Sequence, residues 1–120
     1  MKVAAIAILG LFTAPVAAQD IVVSPERSSA GYELLTSGQN AKAIALLRGE
    51  TSEPSRLINL GTAHARLGQR AEAARAYRLA LFSDDRYDVQ LANGRIMDSR
   101  AAARSALARI DMAARQLAIR

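Results

Sequence analysis

Between Pro54 and Leu81 the apolar positions recur at helical spacing. Leu57, Leu60, His64 and Leu67 fall three and four residues apart, as do Ala73, Ala76 or Tyr77, and Ala80 or Leu81. Each run carries one apolar face, the mark of an amphipathic helix. Gly68 can take the left-handed conformation that ends a helix, and the short connection through Gln69 and Arg70 forces the two helices to lie antiparallel. A shift of thirty residues lays Gly31 over Gly61, Gly38 over Gly68, Gln39 over Gln69, Ala41 over Ala71, Ala43 over Ala73 and Arg48 over Arg78. The pattern therefore predicts two helical hairpins, with helices near 26–37, 40–48, 55–67 and 70–82. Residues 50–54 join the hairpins, and Pro54 suits a first helical turn.

The period then changes. Tyr87, Val89 and Leu91 alternate and run into Asn93-Gly94, a strong signal for a β-hairpin whose returning strand is Arg95-Ile96-Met97. A loop or a distorted helix over 87–98 is the alternative. Ile21-Val22-Val23 is a candidate third strand. Asp98 or Ser99 caps a last helix running to about Ile119. On a helical wheel Ala103, Leu107, Ile110, Ala114 and Leu117 form a stripe that should pack on the preceding helices. Ala101, Ala108, Met112 and Ile119 form a second stripe, either a thin exposed face or a seam for a partner or a second copy in a weak homodimer.

The chain opens differently. Met1-Lys2, the apolar run Val3 to Phe12 and the small residues around Val16-Ala17-Ala18 form a secretory leader, expected to be cut between Ala18 and Gln19. An uncleaved membrane anchor is the other reading of that run. Residues 1–18 are then the signal peptide and 19–120 a single domain in the bacterial periplasm or medium. The 120 residues leave room for no more.

Composition narrows the chemistry. Apolar residues are 51% of the chain, but much of that is Ala, and there is no Cys or Trp. Thiol nucleophiles, thiolate metal sites and disulfides are excluded. The formal net charge is +5. The excess of the mature chain lies after Asp85, where seven Arg face only Asp88, Asp98 and Asp111. Arg100, Arg104 and Arg115 share one flank of the last helix and form a candidate electrostatic surface for anionic envelope lipid or polymer. Export and the lack of aromatic residues between the cations speak against nucleic acid as partner.

Catalytic constellations are not found. His64 is the only His and lies on an inward face, where packing accounts for it. Asp84, Asp85 and Asp88 lack the Gly and distal Glu of a calcium loop and suit a helix end. No Ser stands in a nucleophile elbow, and no phosphate or dinucleotide fingerprint occurs. The expectation is a non-enzyme with no cofactor and no metal.

Leu57, Leu60-Gly61, His64, then Ala73, Tyr77 and Ala80 follow the order of a tetratricopeptide repeat, and Pro54 to Tyr87 resembles that family. Gly31, Gly38 and Ala43 mark a degenerate first copy. The resemblance implies a mainly α fold. Two hairpins, at about 24–50 and 54–87, precede a β-hairpin at about 87–97 and a capping helix at about 99–119. It implies a scaffold that binds a protein or peptide in a groove, not a catalyst. Glu33, Asn59, Thr62, Ala63 and Arg66, on the first helix of each hairpin, would line that groove. Asn59 stands out because an amide can pair with a peptide backbone.

Overall fold

The computed structural model describes residues 21–24 and 29–119. The chain runs β1 (Val23–Ser24), α1 (Ser29–Thr36), α2 (Asn40–Leu47), α3 (Pro54–Arg66), α4 (Arg70–Leu81), β2 (Asp88–Leu91), β3 (Ile96–Asp98) and α5 (Ser99–Ile119). The fold is mainly helical, as the periodicity requires. The expected leader and the cleavage site expected at Ala18 and Gln19 lie outside the described residues, and so does the start expected for the first helix at 26.

The thirty-residue repeat is present in three dimensions. Gly38 and Gly68 sit at φ of 78° and 76°. Each ends its helix by the same pair of backbone bonds: Gly38 N–H to Leu35 O and Gln39 N–H to Leu34 O in one hairpin, Gly68 N–H to Ala65 O and Gln69 N–H to His64 O in the other. This is the Schellman arrangement, which satisfies carbonyls that the helix end leaves over. The second pair of equivalent glycines acts by size. A Cβ on Gly31 would lie 2.5 Å from Leu47, and one on Gly61 would lie 2.6 Å from the Tyr77 ring. Leu47 and Tyr77 are themselves thirty residues apart, and Ala43 and Ala73 are both fully buried. Small residues on one helix thus admit a large one from its neighbour, twice.

The hairpins stack in order. α3 packs on α2 and, less extensively, on α1, while α5 packs on α4 and, less extensively, on α3. The last helix therefore takes the place that a first helix of a third hairpin would occupy. Two guanidinium groups from α3 clamp the first hairpin. Arg56 donates to the carbonyls of Leu46, Leu47 and Arg48 at the end of α2. Arg66 donates to Leu35 O at 2.6 Å and to Asn40 Oδ1.

The sheet has the order β1-β2-β3, antiparallel throughout, with Val23 opposite Leu91 and Val89 opposite Met97. Leu91 N–H bonds Arg95 O, so Ala92-Asn93-Gly94 is a three-residue loop, and Gly94 holds its left-handed position at φ 88°. The segment 21–23 alternates. Ile21 and Val23 enter a core cluster with Leu57, Ile58, Tyr77, Val89 and Ala103. Val22 enters the other, with Leu35, Ala43, Leu47 and Ala63. A third strand is present, but at Val23–Ser24 and not over Ile21-Val22-Val23 as expected, and the segment 21–23 joins the two cores.

One expectation about α5 needs correction. Ala102, Ala103 and Ala106 are buried and Leu107 and Ile110 half-buried, but Ala114 and Leu117 are exposed, as is every residue from Asp111 to Ile119. The stripe packs along the first half of the helix only. A helix of 21 residues spans about 31 Å at 1.5 Å per residue. It outruns the shorter α3 and α4 it rests on.

Candidate interaction surface

α1 and α3 share one face, and the chain's own residues 21–23 lie on it. The Asn59 amide donates from Nδ2 to Val23 O at 2.7 Å, and its Oδ1 accepts from Val23 N–H at 2.8 Å. One side chain so satisfies both backbone groups that β1 turns away from β2, in the manner of another strand. One turn further along, the Thr62 hydroxyl donates to Ile21 O. Tyr77 OH is 2.8 Å from the same hydroxyl. Since a carbonyl only accepts, the proton order runs from Tyr77 to Thr62 to Ile21. Gly61 makes this possible by admitting the Tyr77 ring.

The residues expected to line a groove are therefore distributed differently. Asn59 and Thr62 are each 1% exposed and Ala63 is fully buried. None of the three is open to a partner, because 21–23 covers them. Asn59 does pair with a peptide backbone, and that backbone belongs to the same chain. Arg66 is half-buried and holds α1. Glu33 is exposed on α1, apart from them. The Arg surface divides as well. Arg104 and Arg115 are exposed, whereas Arg100 turns inward and donates to Ser83 O at 3.0 Å where α4 has just ended. His64 is half-buried, and its Nδ1–H donates to Gln69 Oε1 at 2.6 Å, an assignment fixed by the amide oxygen being an acceptor only.

A second open region was not apparent from sequence. Past Ile21, a cleft of about 450 Å³ lies between the α3–α4 turn and the middle of α5. Ile21, Ile110, Met112 and Ala113 supply apolar walls, with Arg70 on one side and Arg109 on the other. Positions 70 and 109 are brought together only by the packing of α5 on α4. Two further clefts exist. One of about 500 Å³, between the 48–51 linker and the α3–α4 hairpin, is lined by Arg48 and Arg75 with Glu50 and Glu72. The other, about 460 Å³, lies beside the exposed Phe82 and is lined by Arg75 and Arg78 with Asp84.

The sheet ends in the clearest electrostatic feature. Asp98 Oδ2 accepts from Arg86 Nε at 2.6 Å, while Oδ1 accepts from the backbone N–H of Arg100 and Ala101, capping α5. The Arg86 hydrogen bond, joined by those backbone bonds, holds the Asp98 carboxyl below its ordinary range. Among the described residues no group of three or more His, Asp or Glu could hold a metal ion, and no helix is long and apolar enough to cross a membrane. In comparisons with known proteins, no family model matches the chain, and no curated protein and no solved structure matches it.

Proposed function

We propose that this chain is a non-catalytic, exported protein-interaction module of the tetratricopeptide type, a scaffold that takes an extended segment of a partner protein. The observation that carries the reading is the Asn59 clasp, in which a helix face holds an extended backbone by its N–H and C=O together. Recognition through main-chain groups places little demand on sequence, and neighbouring apolar positions then choose the side chains. The stacked, thirty-residue hairpins support the same reading, since such arrays present one continuous face built from successive first helices. Because 21–23 already covers Asn59, Thr62 and Ala63, a partner meets the part of that face left open beside α5.

The test is site-specific photo-crosslinking in the envelope of the native cell. A crosslinking residue at Ala113, beside the open cleft, should give one discrete protein adduct. The same residue at Arg78, on the far side of α4, should give none. Absence of any adduct at Ala113, or equal adducts at both positions, refutes the proposal.

A further inference from the structure

We propose that the cleft bounded by Ile21, Arg70, Arg109, Ile110 and Met112 is the docking site for an acidic, extended segment of a partner protein that also carries a bulky apolar side chain. This rests on the reading of the chain as an interaction module and names the site and the chemistry of its partner.

Three observations converge on that occupant. The first is charge. Of these three clefts, the two others balance their arginines with Glu50, Glu72 or Asp84, whereas this one is lined, among the described residues, by Arg70 and Arg109 and by no carboxylate; Asp20, next to Ile21 in the chain, lies outside the described residues. Asp111 lies on α5 beside Arg109 but does not line the cleft. Neither Arg70 nor Arg109 has a hydrogen-bond or ion-pair partner among the described residues. Both are exposed. A guanidinium left open above an apolar wall is suited to a carboxylate, which it can engage through two parallel N–H groups.

The second is apolar surface. Met112 is 60% exposed although it lines the cleft, and Ile110 beside it is only half-buried. A side chain seated between them removes from water an area that the fold itself leaves uncovered. The third is position. Ile21, whose carbonyl Thr62 holds, forms part of the cleft wall. The cleft thus adjoins the face on which Asn59 already holds an extended backbone by its N–H and C=O, the conformation asked of the partner segment. A second copy of this chain is a poor occupant, because pairing the Arg-rich α5 with itself would bring like charges together.

The test uses the full-length mature chain and fluorescence anisotropy with three short labelled peptides: alternating Leu and Glu, Leu and Gln, and Leu and Lys. The Leu–Glu peptide should bind, more weakly at high salt, and the Leu–Lys peptide should not. The double variant Arg70→Glu, Arg109→Glu should weaken Leu–Glu binding by about tenfold or more, the effect of 1.4 kcal/mol. Met112→Gln should weaken it without changing its salt dependence, and Arg78→Glu should change nothing. All of these positions are exposed, so unchanged circular-dichroism melts show that the fold survives. Equal binding of the three peptides, or indifference to the Arg variants, overturns the proposal. So does binding to phosphatidylglycerol vesicles with none to the peptide, which assigns the cations to lipid. Binding that appears only in Asp20→Asn also overturns it, since the chain's own carboxylate is then the occupant. The module reading fails separately: if the Ala113 crosslink persists in the double Arg variant, only this inference falls, and if no crosslink ever forms, the reading falls with it.

Discussion

Replacing Asn59 by Leu should be among the most damaging single changes in the molecule, although it keeps the side chain's size. Asn59 is 1% exposed and makes two bonds of 2.7 and 2.8 Å to one residue. Leu removes a donor and an acceptor together, leaving Val23 N–H and C=O buried and unpaired, since that edge of β1 faces α3 and not water. Each orphaned group costs roughly 1–3 kcal/mol, so the pair costs about 2–6 kcal/mol. For a domain of this size a loss of that order lowers the melting midpoint by about 10 °C or more. Thermal melts followed by circular dichroism, with hydrogen exchange read at the Val23 amide, check both halves of the argument. The midpoint should fall, and Val23 should lose protection before the amides of α3 and α4 do. Asn59→Asp sharpens the test. Its carboxylate can still accept from Val23 N–H but faces Val23 O with no donor, and burial adds to that repulsion, so its folded-state pKa rises above the unfolded value. Stability contributed by the protonated acid is present below the unfolded pKa and lost as pH rises through the folded one. The Asp variant should therefore come closest to wild type near about pH 4 and fall furthest behind at neutral pH. A midpoint shift below about 2 °C for Asn59→Leu, with Val23 still protected, would refute the claim that the clasp holds β1.

Other expectations are as direct. Gly61→Ala places a methyl group 2.6 Å from the Tyr77 ring, which must shift and carry Thr62 with it; a loss of about 1–3 kcal/mol by chemical denaturation is expected, while Gly68→Ala, where nothing lies within 4 Å, acts only through its positive φ. Asp98 has a lowered pKa in the fold, so the stability it contributes is present above its unfolded pKa and drains away as pH falls through the folded one. Asp98→Asn should flatten that acid limb, seen by melts across a pH series. Among the described residues, truncation after Asp111 removes only exposed ones and should leave the melting midpoint nearly unchanged. His64→Gln should lower the midpoint modestly through loss of the Gln69 bond, and an unchanged midpoint would show that the bond contributes nothing.

Local rules were readable along the chain, and long-range ones were not. Gly38 and Gly68 mark their turns from sequence because a left-handed helix end asks for that residue regardless of surroundings. The boundaries of α2 and α4 follow for the same reason. The β-hairpin follows from alternation and Asn93-Gly94, both local. Asn59 could be identified as a residue for holding backbone, yet its occupant sits 36 positions away, and no periodicity reports that distance. Arg100 shows the same limit. A wheel places it on an open flank, but Ser83, two residues past the end of α4, lies beside it and its guanidinium turns to that carbonyl. The exposed half of α5 was illegible for a different reason. Periodicity describes which face of a helix is apolar and is silent on where the body beneath it stops. Arg70 and Arg109 carry no mutual signal at all, since they meet only through the stacking of hairpin and cap.

Repeat arrays are commonly one-dimensional, each unit touching only its neighbours, so that they fray from the ends inward. The short strand at 23–24 changes that here. By pairing with β2, which lies beyond the second hairpin, while Val22 sits in the core of the first hairpin, it fastens the first element to the segment that follows both hairpins. The array becomes a closed circuit. Its helices can form early from contacts close in sequence, but the circuit closes only when residues more than sixty apart meet, a slow step by topology. Once closed, no terminal hairpin can peel away without breaking the clasp, and unfolding should pass through a single cooperative transition despite the repeat.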